Sequence, residues 1–369
     1  MKNKEFLFIY DAAMCNPNGD PDQENKPRMD RATRTNLVSD GRLKRYIRDY
    51  IIDSRKENDD DVFVRNINGR KLSVEKRLHG VIMNYVKSEN SDFNNLVKEN
   101  PRLKEAFEEA SKDLKKQAEY KEFYISKLPK ESDSESQAKT KWKDKSISNI
   151  NNELLVAFVK KNLVDIRFFG GAFAVAGFSN TFTGSVQINW GYSLHPVELI
   201  DSNSIVTIMS GNTEGESNIG KKEGLYYSLI GFTGTINAKR AEALNMTDED
   251  VAQFRESMVK SIMENRTDSK KNQYPKLYLE IEYKDEQCYG RLGDLRNLIT
   301  ITSDKPECKN DQDFTGVRST KDLKINFDNL NKDIDKISKY IHKIRVWKSL
   351  DDKFTNFNIT GVDLEILDF

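Results

Sequence analysis

The sequence has little of what would commit a chain to disulfide, zinc or membrane chemistry. Cysteine occurs three times in 369 residues, at Cys15, Cys288 and Cys308, with no metal or redox spacing between them. A disulfide framework is therefore excluded as the organising principle. His79, His195 and His342 are the only histidines and lie far apart, and no HExxH or CxxC is present. A zinc enzyme is excluded on the same ground. Apolar runs stay short, as at Phe6–Tyr10, where a membrane-spanning helix needs roughly 20 residues. Lys2 and Lys4 open the chain without a following apolar core or small-residue cleavage site, so no signal peptide is expected. A reduced, cytoplasmic protein is the expectation. Net charge is missing too. Lys plus Arg total 59 and Asp plus Glu total 59. A protein that binds polyanions through a global field is excluded, and any nucleic-acid site must be a local basic patch.

What is present suffices for a folded core. Charged residues reach 32% and hydrophobic ones only 37%, but 19 Phe and 14 Tyr supply bulk. The length suits two to three domains, or one large domain with insertions. Residues 5–13 predict a strand with Phe6, Phe8 and Tyr10 on one face and Leu7 and Ile9 on the other, both covered. Residues 14–36 are irregular and start with the turn signals of Asn16-Pro17-Asn18-Gly19-Asp20-Pro21. A helix is expected over 40–54, with Leu43, Ile47, Tyr50 and Ile51 on one face and Ser39 or Asp40 as cap. Residues 57–165 are helical, charged and glycine-poor, with 131–148 expected as a mobile loop. From 165 to 194 the chain turns rich in Gly, Phe and β-formers. Strands at 203–209 and 225–237 flank a Gly, Asn and Lys loop and predict a long hairpin. A helix over 247–266 carries Val251, Phe254, Met258 and Ile262, with Thr247 and Asp250 as a variant capping box. Residues 276–283 alternate strictly and predict a half-buried strand. Leu330, Ile334, Ile337, Ile341 and Ile344 predict a helix over 328–348, and 358–369 a closing strand. Strand, helix, strands, helix, strand is the order of a split βαβ, ferredoxin-like sheet in the α+β class, an architecture used by RNA-recognition modules.

Several motifs compete for function. Gly215 to Gly220-Lys221-Lys222 nearly matches a phosphate loop, but Lys222 stands where the magnesium-binding Ser or Thr belongs, and a strand follows instead of a helix. The plain reading is a flexible hairpin tip with two lysines. Asn16, Asn18, Asp20 and Asp22 suggest a cation loop but lack the EF-hand spacing. A turn that positions backbone amides is the better reading. Arg167-Phe168-Phe169-Gly170-Gly171 has the aromatic-glycine texture of RNA-stacking strands, out of register with that motif. Its glycines would admit a phosphate or allow tight packing. From 31 to 56 there are eight basic residues (Arg31, Arg34, Arg42, Lys44, Arg45, Arg48, Arg55, Lys56) against the acids Asp40, Asp49 and Asp53. This clustering next to a turn-rich loop favours phosphate contact over a merely solvated face.

Three separated segments carry a resemblance. The first runs from Asn16-Pro17-Asn18-Gly19-Asp20-Pro21 through Pro27-Arg28-Met29-Asp30 to Leu37-Val38-Ser39-Asp40-Gly41-Arg42-Leu43-Lys44-Arg45-Tyr46-Ile47-Arg48. The second is Asp165-Ile166-Arg167-Phe168-Phe169-Gly170-Gly171. The third is Thr183-Gly184-Ser185-Val186-Gln187 with Trp190-Gly191-Tyr192-Ser193-Leu194. Together, over roughly residues 5–300, the chain resembles the backbone subunit of type I CRISPR surveillance complexes (Cascade). It is most similar to the Csh-type of subtype I-B and its Csd-type relative. Ser185 departs from the proline common there.

The resemblance implies a right hand. Its RNA-recognition-like palm is 1–56, 165–202 and 226–369, the helical fingers 57–164 and the β-hairpin thumb 203–225. It implies a non-catalytic subunit that stacks head to tail with other copies along one CRISPR RNA and leaves guide segments free to pair with target DNA. The large subunit, a handle-capping subunit and a processing endoribonuclease are the implied partners; no cofactor and no membrane are implied. Arg28, Arg42, Lys44, Arg45 and Arg48 are expected to neutralise guide phosphates, with Asn16, Asn18 and Gly19 shaping the loop. Arg167, Gly170 and Gly171 would contact backbone or ribose, and Gln187 would offer a hydrogen bond. Met209, Lys221 and Lys222 would sit on the thumb. The alternative is an endoribonuclease of the same superfamily using Asp11, Asp20 or Asp22.

Overall fold

The strand expected at 5–13 runs from Lys4 to Cys15 (β1) and lies in the middle of the largest sheet. The computed structural model describes residues 1–54, 62–67, 69–89, 91–110, 120–201, 204–207, 218–284, 290–305, 310, 313–354, 359 and 361–369. For 204–207, 218–221 and 352 the description covers the backbone alone. The chain divides into two units. The first comprises Met1–Tyr50, Val186–Ala238 and Val251–Phe369, the second Ile51–Ser185 and Lys239–Asp250. Residues 165–185 thus group with the helices of the second unit. Among the described residues no helix is long and apolar enough to cross a membrane.

In the first unit the other strands of the sheet are β2 (Met29–Asp30), β3 (Thr35–Val38), β4 (Val186–Ile188), β5 (Gly191–Ser193), β6 (Leu225–Ile236), β7 (Gln273–Tyr283), β8 (Ile341–Lys348) and β9 (Leu364–Ile366). The order is β9-β8-β7-β1-β6-β5-β3-β2, with β4 also on β6. Neighbours are antiparallel except β8 and β9. Helix α1 (Asp40–Ser54) lies between β1 and β5 in the chain, and α2 (Asp248–Glu264) between β6 and β7.

Burial on both faces of β1 follows from its side chains. Phe6, Phe8 and Tyr10 are sealed, Phe6 meeting Phe254 of α2 edge-on with ring centroids 5.6 Å apart. Leu7 and Ile9 join the opposite core with Leu279 of β7 and with Leu330 and Ile334 of α3 (Asp328–Ile337). Each such side chain contributes about 1.5–3 kcal/mol of burial.

In this unit two expectations change. Strand β7 is buried on both faces despite its alternation, because its glutamates are neutralised in place. Glu280, fully buried, receives Arg255 through two contacts of 2.9 Å and Arg345 at 3.0 Å, and Arg345 also meets Glu282 at 2.7 Å. The helix expected over 328–348 ends at Ile337. Residues Ile341–Lys348 are β8, where Ile341, Ile344 and Val346 face inward against β7. The isoleucine spacing of three fits a helix; in the strand both Ile341 and Ile344 are buried across a register shift between Glu282 and Tyr283. Pairing across the sheet decides it.

The second unit is helical, with Val74–Lys87, Phe93–Glu99, Pro101–Ala110, Tyr120–Lys127 and Ser148–Lys161 closing on Leu78, Phe93, Phe107, Tyr124 and Phe158. The loop expected at 131–148 contains a helix, Glu135–Trp142. Ser134 caps it reciprocally with Gln137, and Trp142 is buried on His79 with centroids 4.2 Å apart. Its Ser, Gln and Lys composition hides a helix held by one cap and one aromatic anchor.

Candidate nucleic-acid interface

The Asn-Pro-Asn-Gly stretch in the first unit is tied down from within. Asn16 is almost wholly buried and donates through Nδ2 to the Asn25 carbonyl at 2.7 Å. Asn25 donates its N–H to the Asp20 carbonyl at 2.8 Å, and Arg28 its N–H to the Asn18 carbonyl at 3.0 Å. Ser39 donates its hydroxyl to Asn18 Oδ1 and accepts the Arg42 N–H, each at 3.3 Å, which joins the loop to the first turn of α1. A Cβ on Gly19 would lie 1.9 Å from Asn25 Oδ1, so no other residue fits there without moving Asn25. Glu24 and Asn25 both adopt positive φ, a cost accepted only where surrounding bonds over-determine the backbone. Of the four polar side chains of the proposed cation loop, those of Asn16, Asn18 and Asp20 serve this scaffold. Among the described residues no three His, Cys, Asp or Glu side chains gather as a metal site.

Cations surround the loop. Arg42 stacks over the Tyr46 ring at 4.2 Å and has no hydrogen bond on its buried Nε. Arg28 makes a 3.4 Å ion pair with Asp20 and lies 6.0 Å from the centroid of Trp190, a half-exposed indole. Lys44 pairs with Asp40 and Arg45 with Asp49, each at 2.8 Å one helical turn apart. Such surface pairs are worth a few tenths of a kcal/mol and yield readily to a phosphate. Arg48 also has an interaction of its own. Beside the loop, a groove of about 590 Å³ is lined by Lys26, Arg31, Arg34 and Arg318 against Glu198 and Asp201. Gln187 is exposed on β4.

Other expected positions serve different ends. Arg167 is buried in the second unit, in a short helix (Val164–Phe169) and not on a strand. Its guanidinium grips Asp250 at 2.7 and 3.2 Å. Freeing it for a contact elsewhere would strand a buried carboxylate. Phe168 is sealed in the same unit and cannot stack on a base. Gly170 has φ +80°, and a Cβ there would sit 2.4 Å from the Phe182 carbonyl. Gly171 meets Ile166 more loosely at 3.1 Å. Close backbone crossing explains Gly170. Ser185, the departure from proline, donates both N–H and hydroxyl to the Arg167 carbonyl, at 3.1 and 3.0 Å, where proline has no N–H. Lys222 is paired with Asp268 at 2.8 Å. Met209, Gly215 and the side chain of Lys221 lie outside the described residues, as do Cys288 and Cys308. Backbone strands Ser204–Thr207 and Asn218–Lys221 pair antiparallel as the hairpin requires.

The suspected aspartates are not gathered into one group. Asp11 is buried against Lys276 at 3.2 Å and accepts the Tyr227 hydroxyl at 3.3 Å; burial pushes its carboxyl up despite the lysine. Asp20 caps the short turn at Asp22. His195 is a core residue. It accepts the Leu229 N–H on Nε2 at 3.2 Å, and its Nδ1 lies 2.8 Å from the Pro196 carbonyl, so the ring is neutral with the proton on Nδ1.

The family model for CRISPR-associated protein Cas7 matches residues 2–328. The chain belongs to the Cas7 family. It is 26% identical over 352 residues to the Cas7 protein of Haloferax volcanii, covering 94% of this chain and 86% of that protein. It is also similar to a chain of a CRISPR RNA-guided surveillance complex in a pre-nicking state, at 11% identity, 100% and 96% coverage and a TM-score of 0.47. A second surveillance-complex chain is 10% identical, with 100% and 95% coverage and a TM-score of 0.44. Within this family member, Trp190 was named from the sequence only as part of a motif, and Lys270, whose Nζ donates to the Asn16 carbonyl, was not named at all. Trp190 had a signal, a tryptophan beside a short strand. Lys270 had none, because its role comes from contact with a segment more than 250 residues away.

Proposed function

We propose that the chain is the repeated RNA-gripping subunit of a type I, subtype I-B-like Cascade complex. Copies stack head to tail along one CRISPR RNA and present guide segments to target DNA. The order β7-β1-β6-β5 with α1 and α2 as crossovers, that of a ferredoxin-like sheet, supports an RNA-recognition-like palm. Residues 57–164 act as fingers and 203–225 as thumb. The single observation carrying the reading, beyond family membership, is the internally bonded Asn16–Arg28 loop with Arg28, Arg42 and Trp190 around it. Cations neutralise phosphates, an exposed indole accepts a base face, and base pairing supplies sequence. Lys44, Arg45 and Arg48 extend the strip along α1, and Gln187 adds a donor. The subunit holds RNA without cutting it, works in the cytoplasm, and meets a large subunit, a handle-capping subunit and a processing endoribonuclease.

Light scattering of the purified chain with and without CRISPR RNA tests this. RNase-sensitive assemblies many times the monomer mass are the expected result. A monomer that ignores RNA, alone and with its partner subunits, overturns it.

A further inference from the structure

The turn between α2 and β7 touches both parts of the proposed RNA grip. On one side it holds the root of the Asn16–Arg28 loop. Asn16 donates its N–H to the Ser269 carbonyl and Ala13 its N–H to the Asn272 carbonyl, both at 3.0 Å, while Lys270 Nζ donates to the Asn16 carbonyl. Gln273 Nε2 fastens the turn beneath, donating to the Lys270 carbonyl at 2.6 Å and to the Tyr46 hydroxyl at 3.2 Å. On the other side it holds the root of the hairpin. Asp268 accepts Lys222 at 2.8 Å, with Lys271 as a second partner at 2.9 Å. The return arm passes the same place: a Cβ on Gly224 would lie 3.2 Å from the Cys15 carbonyl, and Cys15 pairs with Leu225.

We infer that the turn Thr267–Asn272 is a positioning element that sets the hairpin root against the Asn16–Arg28 loop so that both engage one RNA strand, with Asp268 and Lys222 as the latch and Lys270 as the loop anchor. The inference rests on the RNA-binding reading above. Three features make it specific. The contacts reach both segments from one six-residue turn. Lys270 is drawn inward to a backbone carbonyl, and burial with Arg42 nearby holds its ammonium down at about 8. Asp268 is largely exposed yet held at about 2 by Lys222 and Lys271.

The test turns on a sign. Asp268 is a negative charge beside a basic RNA grip. Simple electrostatics predicts that Asp268→Asn tightens RNA binding, since one repulsive charge is removed. The latch predicts the opposite: an about two- to threefold weaker grip on a fluorescent oligouridylate. The full chain is used, and thermal unfolding checks that Asp268→Asn, a change at an exposed side chain, leaves the fold intact. Asp268→Glu restores most of the affinity. In a double-mutant cycle with Lys222→Ala, the second change costs little once the first is made. Hydrogen exchange of the RNA-free protein rises at 218–224 in Asp268→Asn and at 13–20 in Lys270→Met. Equal or tighter RNA binding by Asp268→Asn, or additive losses in the cycle, overturns the latch while leaving the RNA-binding reading standing. Failure of the unaltered chain to bind RNA overturns both.

Discussion

Arg42 and Lys44 are two residues apart on α1, and the structure predicts that they differ in RNA binding. Arg42 stacks on Tyr46 and has no acidic partner among the described residues, whereas Lys44 is held by Asp40 at 2.8 Å. On a single strand each neutralised phosphate contributes about 0.7 to the slope of log K against log salt. Loss of one contact therefore lowers affinity about fivefold at roughly 0.1 M salt relative to 1 M, or about 1 kcal/mol. Arg42→Gln is expected to show the full change in slope per subunit. Lys44→Gln is expected to show less affinity loss, because its ammonium must leave Asp40 first, at about 0.3–0.5 kcal/mol. Fluorescence anisotropy with oligouridylate across a salt series measures both, read per bound subunit. Equal slopes for Arg42→Gln and the unaltered chain would refute the reasoning and turn that face of α1 toward solvent or a protein neighbour.

Trp190→Ala should cost about 1–3 kcal/mol of RNA affinity if a base stacks there, with little change in thermal stability because the indole is half exposed. Gly19→Ala should displace Asn25 and weaken RNA binding more than it lowers stability, measured by anisotropy beside urea unfolding. His195 sets a pH dependence. Burial holds its folded pKa at about 4, below the ordinary 6.5, so the unfolded chain takes up the proton first. Its share of stability is present above pH 6.5 and is lost as pH falls toward 4, about 2 kcal/mol between pH 7 and 5. Urea unfolding at both pH values should show that loss, reduced in His195→Gln.

Local rules read much of the sheet and of the helices α1 and α2. The double-sided burial of β1, the extent of α1 and the capping of α2 by Thr247 and Asp250 all follow from nearest-neighbour chemistry. The failures share a cause. Strand β8 looked helical because the residues that settle it, Glu280 and Glu282, lie about 60 positions earlier and meet Arg345 only in the folded sheet. The helix Glu135–Trp142 was hidden because its anchor, His79, comes from a distant segment. At the candidate interface the loop and basic helix were legible, as turn residues and charge clustering. The burial of Arg167 was not legible because its partner Asp250 is 83 positions away in sequence. Lys270 was invisible for the same reason.

The loop's internal bonding also bears on how an array would assemble. A flexible loop loses conformational freedom each time it closes on a strand, and that loss recurs in every copy. Here Gly19, the positive φ of Glu24 and Asn25, and the bonds to Asn18 and Ser39 have met that loss during folding. Each added copy would then dock with its loop already in shape. The growth of a filament would be governed by contacts between copies and by charge, and a single loosened loop residue would tax every joint along the strand at once.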